Sequence, residues 1–528
     1  MNIKLVFSLV CLAAGGMFSM QRQLQMLQQN SYYPTRYFKW LKGSFSPNFV
    51  YSCLFCILSV TLALAGALHF LPFIAAGELV VRVIKQRRLQ TASIKKLIYT
   101  GRVKRLIVTA SCLNLILIVF TQTFPKISGV FSVPVILFAH FPQMPMLLAY
   151  AINKPMESTV NRHYIRDAKR ILDSCKDLLV IGVTGSYGKT SVKFILNRIL
   201  SEKFNVTATP ESFNTPMGIV RTVREHFKPQ TEIFIAEMGA KNPGDIEELC
   251  GLCHPSLGII TAVGPQHLET FHTVETVADT KFELAEYCLN RQSGRVYVNF
   301  DSAPAAARAG RLSAADRCVS VGTGGNVNCT AHHIRVSRNG TEFELTYKEH
   351  RFPLSCHLLG RHSVTNILLA VAVALDLGVS EKQIRFAVSS LKAPPHRLEL
   401  KPFVNGAILI DDAYNSNPEG CLEAVRVLGS FTGMRRVIVT PGLVELGERE
   451  YSCNYELGLA AAEHCDDIIL VGRKRAVPMQ TAAEENGFDS AHLTVVESFA
   501  EAMEYLRKIA DRETAVLFEN DLPDNYAG

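Results

Sequence analysis

Apolar and polar positions divide the chain into two regions of different kinds. Over residues 1–152 the apolar positions form long runs, near 3–20, 50–76, 105–123 and 129–151. Such runs approach the roughly twenty apolar residues that a helix needs to cross the hydrocarbon core of a bilayer. The pattern predicts an α-helical transmembrane region of about four spans over 1–152, followed by a charged cytoplasmic linker over 153–177.

From residue 178 onward, short β-branched apolar runs alternate with amphipathic stretches of helical period. This alternation is typical of α/β folds with doubly wound sheets, in which ligands gather at the carboxyl ends of the strands. We expect a P-loop-type central ATPase domain over 178–393 and a Rossmann-like C-terminal domain over 394–528, with Pro394-Pro395 at their boundary. The predicted strands are Leu179 to Val183, Ile233 to Glu237, Leu257 to Val263, Val296 to Asn299, Ala407 to Asp411, Val437 to Thr440, Asp467 to Val471 and Ala515 to Phe518.

Charge separates the same two regions. Residues 1–154 contain sixteen Lys or Arg and one acidic residue, Glu78, whereas the whole chain has a net charge of only +7. The remainder of the chain is therefore net acidic. This distribution indicates a membrane-facing charge bias and argues against a nucleic-acid-binding enzyme.

The basic segment 82–105 should stay in the cytoplasm, which also places the domains after residue 152 there. The apolar run at 3–20 could instead be a secretory signal, but the three later runs disfavour that interpretation. One observation conflicts with four spans, because the segment 21–47 is also basic, yet a four-span count places it outside. A broken or re-entrant second span, at Gly66 and Pro72, would change the count.

The fourteen cysteines are scattered, and no disulfide framework is expected in a cytoplasmic enzyme. Cys250 and Cys253 have the spacing of a redox or zinc pair, but no second pair accompanies them. We favour ordinary cysteines at the end of a helix.

Candidate chemistry centres on residues 183–191, V-T-G-S-Y-G-K-T-S, which follow a predicted strand and open a predicted helix. A strand, a glycine turn and a helix N-terminus point backbone N–H groups and the positive end of the helix dipole at one place, where phosphate binds. Lys189 can reach the β- and γ-phosphates of ATP, and Thr190 can bind Mg²⁺. The usual loop has a glycine where this chain has Val183, so the motif is the tighter form T-G-x-x-G-K-T.

Glu237 closes a second predicted strand, and His267 follows a third after Gly264-Pro265-Gln266. A carboxylate and an imidazole at neighbouring strand ends suit metal coordination beside a nucleotide. Either residue alone would more often be a solvated loop residue.

When these motifs are taken together with others further along the chain, the sequence resembles the Mur ligase superfamily, and within it the branch that adds D-alanyl-D-alanine to a muramoyl peptide. The resemblance covers about 178–475. It rests on T-G-S-Y-G-K-T from 184, F-N-T-P-M-G from 213, A-E-M-G from 236, G-P-Q-H-L-E from 264, A-D-T-K from 278, G-R-H-S-V-T-N from 360, H-R-L-E from 396, D-D-A-Y-N-S-N-P from 411 and E-L-G from 445.

The resemblance implies ATP-driven amide formation, in which a substrate carboxylate takes the γ-phosphoryl group and an amine then displaces phosphate. It implies catalytic roles for Lys189, His267, Lys281 and Arg397. Magnesium would be held by Thr190 and Glu237, with His267 at a second magnesium ion. Lys281 matches a lysine that many relatives carry as a carbamate; the alternative is a surface lysine facing Glu283 or Glu286.

The same resemblance implies the nucleotide and substrate contacts. Arg397 would meet the ATP phosphates from the interdomain hinge, although a static ion pair with Glu399 is the alternative. The implied nucleotide-binding residues are Gly185, Ser186, Tyr187, Gly188, Lys189, Thr190, Ser191, Asn299, His362, Asn366 and Asp412, and the implied substrate-binding residues are Asn214, Thr215, Tyr414, Asn415 and Asn417.

Two departures bear on the substrate. Membrane spans replace the globular first domain that grips the UDP-sugar in soluble relatives, and Gly442 and the segment 519–526 replace residues expected near the amine donor. We expect a membrane-anchored ligase that adds an amino acid or a dipeptide such as D-Ala-D-Ala to a peptidoglycan or other cell-envelope precursor, soluble or lipid-linked. The alternatives are a folate- or cyanophycin-type amino-acid ligase and a membrane transport or signalling NTPase.

Overall fold

The computed structural model describes residues 3–30, 32–43, 47–65, 70–92, 96–124, 128–266, 268–337, 340–413, 417–444 and 446–520. The chain forms two compact units, Met1–Arg162 and His163–Asp521. The first is helical and the second is α/β.

The first unit is built from long apolar helices. Its helices are α1 (Ile3–Gln29), α2 (Pro34–Gly43), α3 (Pro47–Leu64), α4 (Leu71–Ala92), α5 (Gly101–Thr123), α6 (Ser128–His140) and α7 (Gln143–Asp173), whose last residues belong to the second unit. By length and composition, α1 and α5 could each cross a membrane.

The other two predicted spans differ from single helices. The run 50–76 is divided between α3 and α4, and Pro72 lies in the first turn of α4. Proline is tolerated there because the N–H groups of the first turn make no hydrogen bond within the helix. The run 129–151 is divided between α6 and α7, which are bent by 97° and count as one span only if the bent pair crosses together. Pro142 follows α6, and a proline cannot continue the preceding helix. By length and composition, the described helices thus include two that could cross a membrane, or up to three if the bent pair counts as one, beside the four apolar runs of the sequence.

Charged groups between α4 and α6 are paired. Glu78 of α4 forms an ion pair with Arg82 (2.9 Å), and its carboxylate also lies within hydrogen-bond distance of His140 Nε2 of α6 (3.1 Å). Arg82 also donates a hydrogen bond to the carbonyl oxygen of Ala139. Pairing is what makes ionisable groups tolerable in an apolar helical region.

The basic segments of the first unit lie at one end of it. The Gln28 side chain at the end of α1 exchanges two hydrogen bonds with the backbone of Ile98, at 2.9 and 3.0 Å. The Tyr150 hydroxyl donates to the carbonyl oxygen of Tyr32, and the guanidinium of Arg102 lies 4.0 Å from the Tyr32 ring centroid. Gln28 and Tyr32 of the basic segment 21–47 thus lie at the same end of this unit as the start of α5.

The second unit contains two sheets. The first has nine strands in the order β2-β3-β1-β4-β5-β6-β7-β8-β9, parallel through β7 and antiparallel from β7 to β9. Its strands are β1 (Leu179–Thr184), β2 (Val206–Ala208), β3 (Ile233–Glu237), β4 (Leu257–Ile260), β5 (Arg295–Asn299), β6 (Cys318–Gly322), β7 (Cys329–Ser337), β8 (Gly340–Tyr347) and β9 (His350–Cys356). Its helices are α8 (Lys189–Leu200), α9 (Pro216–Glu225), α10 (Asp245–Cys253), α11 (Leu268–Phe271), α12 (Val274–Leu289), α13 (Ala303–Ala309), α14 (Arg361–Asp376) and α15 (Glu381–Ser389).

The second sheet has six strands in the order β10-β11-β15-β12-β13-β14, all parallel except β10. Its strands are β10 (Glu399–Pro402), β11 (Ile408–Asp412), β12 (Arg435–Thr440), β13 (Asp467–Val471), β14 (Leu493–Val496) and β15 (Thr514–Glu519). Its helices are α16 (Pro418–Gly429), α17 (Glu450–His464), α18 (Arg473–Glu485) and α19 (Phe499–Ile509).

Alternate residues of the nine-stranded sheet face two different cores. Ile181 and Val183 join a cluster with α8 and α14, whereas Val180 and Phe234 join a cluster with α10 and α12. Because successive side chains of a strand point to opposite faces, a sheet covered on both sides needs continuous apolar strands. The predicted doubly wound α/β fold is confirmed in both sheets.

All eight predicted strands are present, but the run Leu257 to Val263 ends as a strand at Ile260. The next residues contact the phosphate loop instead, since Ala262 accepts hydrogen bonds from the N–H groups of Ser186 and Tyr187. The antiparallel extension β7–β9 was not predicted.

Candidate functional site

The predicted phosphate loop joins β1 to α8. Gly185 has φ +147° and Gly188 has φ +80°, conformations that L side chains rarely adopt. The N–H groups of Ser186 and Tyr187 donate to the carbonyl oxygen of Ala262. The first helical bond runs from Val192 N to the Gly188 oxygen, so the N–H groups of the first turn of α8 are the candidate donors to a phosphate.

Side chains fasten this loop to residues 261–265. Ser186 Oγ donates to the Gly264 oxygen (3.0 Å), and the Tyr187 hydroxyl donates to the Pro265 oxygen (2.6 Å). Thr261 Oγ1 donates to the Tyr187 oxygen at 2.5 Å. The loop is therefore held in its shape by the segment that leads to residue 267.

Lys189 lies over the loop, and its Nζ donates to the carbonyl oxygens of Gly185 (2.6 Å) and Ser186 (2.8 Å). Burial lowers the pKa of Lys189 to about 8; the Glu237 carboxylate opposes this effect and Arg397 adds to it. A phosphate oxygen would be a better acceptor for this ammonium than the two carbonyl oxygens.

The Glu237 carboxylate, only 1% exposed, lies at the carboxyl end of β3. Thr190 Oγ1 donates to both of its oxygens (3.2 and 3.1 Å), and Asn214 Nδ2 donates to Oε1 (3.1 Å). Lys193 forms an ion pair with Oε2 at 2.9 Å. Sequence reasoning did not find Lys193, although its position four residues after Lys189 places both on one face of α8.

A hydroxyl and a carboxylate are suitable ligands for magnesium. Mg²⁺ usually keeps several waters and takes one or two protein oxygens together with substrate phosphates. Thr190 and Glu237 fit this requirement, although no group of three His, Cys, Asp or Glu within the described ranges could hold a metal alone. The predicted ligand His267 lies outside the described residues.

Lys281 of α12 is 1% exposed, and its ammonium lies 6.0 Å from the centroid of the Phe271 ring. Burial, followed by the charge of Lys189, lowers the pKa of Lys281 to about 7. Glu283 accepts the N–H groups of Gly244 and Glu247, and Glu286 forms an ion pair with Arg308. The alternative of a surface lysine is wrong.

A cavity of about 530 Å³ lies between the two sheets of the second unit. Gly188 faces it, and a Cβ there would lie 2.8 Å from Asn366 Oδ1. Asp301 also lines the cavity and accepts a hydrogen bond from Thr365 (2.6 Å). The sequence analysis did not name Asp301, although its position two residues after the predicted contact Asn299 indicated that it would lie close to the site. The predicted residues that line the cavity are Tyr187, Gly188, Ser191, Asn299, His362, Asn366, Arg397, Asp412 and Asn417.

The C-terminal side of the cavity is set by a turn around Arg397. Its neighbours His396 and Leu398 have φ of +58° and +46°. The His396 ring contacts Asp411 (2.8 Å), and the Leu398 N–H donates to Asp412 (3.1 Å). Glu399, the alternative partner of Arg397, forms its ion pair with Lys401.

Asp412 is the second charged group that reaches the cavity from this side. Burial raises the pKa of Asp412 to about 6, against the opposing effect of Arg397. A cation from the turn before β10 and a carboxyl group from the end of β11 thus line the same cavity as the phosphate loop.

The predicted substrate residues lie in different local settings. Asn214 contacts Glu237, whereas Thr215 and Asn417 accept the N–H groups of Gly218 (3.3 Å) and Gly420 (2.9 Å) as N-caps of α9 and α16. Tyr414 and Asn415 lie outside the described residues.

Gly442, where the resemblance led us to expect an acid, has φ +80°. A Cβ there would lie 2.6 Å from Asn454 Oδ1, which accepts the N–H of Leu443. The backbone at this position therefore disfavours any side chain.

The cysteines form no disulfide in the structure, which describes all fourteen of them. All fourteen are free thiols, and Cys250 and Cys253 are buried on α10. Burial raises the pKa of both thiols. They are ordinary helix-end cysteines, as expected.

Two parts of the chain match known domains. Residues 183–374 match the Mur ligase middle domain, and residues 396–519 match the Mur ligase glutamate ligase domain. Together the two matches cover more than half of the chain.

Similar proteins include the UDP-N-acetylmuramoyl-tripeptide–D-alanyl-D-alanine ligases of Mycobacterium tuberculosis (strain ATCC 25618 / H37Rv) and Escherichia coli (strain K12). The first is 33% identical over 310 residues, which are 57% of this chain and 59% of that protein. The second is 30% identical over 302 residues, 56% of this chain and 65% of that protein. The chain thus spans less than two thirds of the length of either relative.

Solved structures show the same fold. MurF from Acinetobacter baumannii matches with a TM-score of 0.62 and 24% identity over 69% of this chain and 78% of that one. MurF ligase from Thermotoga maritima, in complex with ADP, matches with a TM-score of 0.59 and 25% identity over 70% of this chain and 81% of that one.

Replacing Gly188 with alanine tests the nucleotide cavity. We expect Gly188→Ala to weaken ADP binding about tenfold or more, because left-handed backbone penalises a side chain and the new Cβ displaces Asn366. Calorimetric titration with ADP measures the effect. Gly251→Ala, whose Cβ would meet open space on α10, is the matched control; equal affinities in the two variants would contradict the assignment.

Proposed function

The chain belongs to the Mur ligase family through its middle and C-terminal domains, and we propose that it is a membrane-anchored ligase that uses ATP to form an amide bond on a cell-envelope precursor. The observation that carries the proposal is the cavity in which the phosphate loop of one sheet faces Arg397 and Asp412 of the other. Enzymes catalyse phosphoryl transfer mainly by positioning the reactants and by stabilising the phosphate charge, so cations and hydrogen-bond donors must surround the phosphates.

Lys189 would hold the β- and γ-phosphates together with the first turn of α8, and Arg397 would neutralise phosphate charge from the opposite side. Thr190 and Glu237 would hold Mg²⁺, which when bound neutralises the phosphate oxygens. Asn299, His362, Asn366 and Asp412 would contact the nucleoside.

The reaction would proceed in two displacements. A carboxylate oxygen of the acceptor attacks the γ-phosphorus and ADP leaves, which gives an acyl phosphate. The amine then attacks the acyl carbon, phosphate leaves, and the amine loses a proton to yield the amide. Arg397 and Asp412 belong to the C-terminal domain and the phosphate loop to the middle domain, so closure of the cavity would bring the charges together and exclude water.

Lys281 would act as a carbamate, which orients the metal as an anion. Its burial supports this role, because an ammonium is costly in such a place and a carbamate beside bound magnesium ions would have compensating charge.

The precursor is proposed to be a peptidoglycan-type peptide, and the amine a dipeptide such as D-Ala-D-Ala or an amino acid. The named relatives from M. tuberculosis and E. coli support this class of substrate. A lipid-linked acceptor is our preferred form, since membrane helices occupy the part of the chain before the middle domain.

Exposed apolar side chains support anchoring in a membrane. Large ones point outward from α1, α3, α4 and α5, including Phe7, Leu54, Ile57, Phe73, Val81 and Leu115. Surfaces of this kind on a soluble monomer would favour aggregation. Exposed cations gather at the end that contains α2 and the start of α5, which fits the cytoplasmic side.

Mass spectrometry of products tests the activity. Incubation with ATP, UDP-linked or lipid-linked muramoyl peptides and a panel of amino acids and dipeptides should give an amide product together with ADP and phosphate. Lys189→Ala should lower the rate about a hundredfold or more, because a preorganised cation at the phosphates is lost. ATP turnover that needs no amine would instead indicate an NTPase, and equal rates with the two acceptors would remove the lipid-linked preference.

The state of Lys281 has its own test. Intact-mass or ¹³C-bicarbonate NMR measurements should detect a carbamate on the wild-type protein and none on Lys281→Ala, which should also lose amide formation. Lys241→Ala, a change on the loop before α10, serves as the control. Full activity of Lys281→Ala would contradict the assigned role.

Thiol labelling tests the orientation of the first unit. Single cysteines introduced at Lys39 and Lys96, in a background without the native cysteines 11, 53, 56 and 112, should both be shielded from an impermeant maleimide in intact cells. A cysteine at Phe124, at the opposite end of α5, should react. Labelling of Lys39→Cys but not of Lys96→Cys would contradict the proposal that both positions lie on the same side of the membrane.

A further inference from the structure

Lys193 is a buried cation to which the proposed reaction gives no role. It lies one turn after Lys189 on α8 and is 1% exposed. Its Nζ forms an ion pair with Glu237 Oε2 at 2.9 Å and also donates to the carbonyl oxygen of Glu211. Removing a lysine ammonium from water costs free energy unless an opposite charge and hydrogen-bond acceptors lie close to it. The Glu237 carboxylate and the Glu211 carbonyl oxygen meet this requirement for Lys193.

The contact between Lys193 and the Glu211 carbonyl oxygen joins α8 to the segment 209–215, which we call the acceptor loop because it contains Asn214. Glu211 in this loop has φ +41°, a strained conformation for a residue with a side chain. The loop is tied to β3 twice more, since Glu237 N–H donates to Thr209 Oγ1 (3.1 Å) and Gly239 N–H donates to the Asn214 oxygen (2.8 Å).

Glu237 is thus the meeting point of two parts of the site. Thr190 belongs to the phosphate loop, Asn214 belongs to the acceptor loop, and Lys193 contacts both the carboxylate and the acceptor-loop backbone. Lys193 occupies Oε2, whereas the hydrogen bond of Asn214 is on Oε1. A cation that binds Glu237 would therefore change the electrostatic environment of Lys193 and of the loop that it holds.

We propose that Lys193 is a positioning residue that couples the magnesium carboxylate Glu237 to the acceptor loop. It fixes the orientation of the carboxylate and compensates its charge before the metal binds. It also keeps the Glu211 carbonyl, and with it Asn214, in place for the acceptor. This inference rests on the proposed function, in which Glu237 holds magnesium and Asn214 lies beside the acceptor.

Steady-state kinetics and thermal unfolding of the full-length protein test the coupling. Lys193→Met should raise the KM for the acceptor about tenfold without raising the KM for ATP, because the hydrogen bond that is lost runs from a charged group to the acceptor loop. It should also gain more thermal stability from Mg²⁺ with ADP than the wild type does, since the metal then supplies the missing positive charge. A parallel rise of both KM values, or an unchanged response to Mg²⁺, would overturn the proposal.

Two further variants separate a positioning role from general damage. Lys193→Arg keeps the charge and should restore the wild-type response to Mg²⁺; a response like that of Lys193→Met would count against the coupling. Lys203→Met removes an exposed lysine that donates to the carbonyl oxygens of Leu377 (3.1 Å) and Gly378 (2.8 Å), and should keep both KM values.

A measurement on the wild type keeps the proposal testable if Lys193→Met does not fold. Hydrogen exchange over residues 209–215 should slow when Mg²⁺ is added with ADP, and should change less with ADP alone. Identical exchange in the two states would contradict the coupling. Absence of ADP binding and of amide product in the wild type would instead remove the proposed function itself.

Discussion

A buried carboxylate at the carboxyl end of β3 is the constraint on which the site depends. Glu237 is removed from water, and an uncompensated charge there would strongly destabilise the fold. Three groups compensate this charge: the ammonium of Lys193 and the hydroxyl of Thr190, both on α8, and the side-chain amide of Asn214 in the acceptor loop. Satisfying the charge of Glu237 therefore fixes the position of the acceptor loop relative to the start of α8.

Positive φ values mark backbone positions around the cavity that are unfavourable for residues with a side chain. Gly188 brings the phosphate loop close to Asn366, and His396 and Leu398 turn the chain so that Arg397 enters the cavity. Non-glycine residues in this conformation persist only where surrounding contacts hold them, and here the contacts are hydrogen bonds to Asp411 and Asp412. The same argument explains Gly442, where the conformation removes the option of an acidic side chain.

The first unit follows a different physical rule. Both acidic residues within 1–162, Glu78 and Glu157, are paired with arginine, at 2.9 and 2.7 Å. Outward apolar side chains, with exposed cations at one end, are what the proposed anchoring in a membrane requires, because unpaired charge is tolerated only at the membrane interface.

The sequence by itself determined the α/β architecture of residues 178–520, because continuous apolar strands bounded by helical patterns can be buried on both faces only in doubly wound sheets. It also determined the phosphate loop and Glu237, since these depend on local order along one strand and one turn. Tertiary structure alone decided that Lys193 pairs with Glu237, that Lys281 is buried, and that Ser186 and Tyr187 give their N–H groups to Ala262. It also decided how the apolar runs of the first unit divide into helices. The reason is that pairing, burial and bending depend on contacts between residues far apart in the chain, which no local pattern of apolar and polar positions encodes.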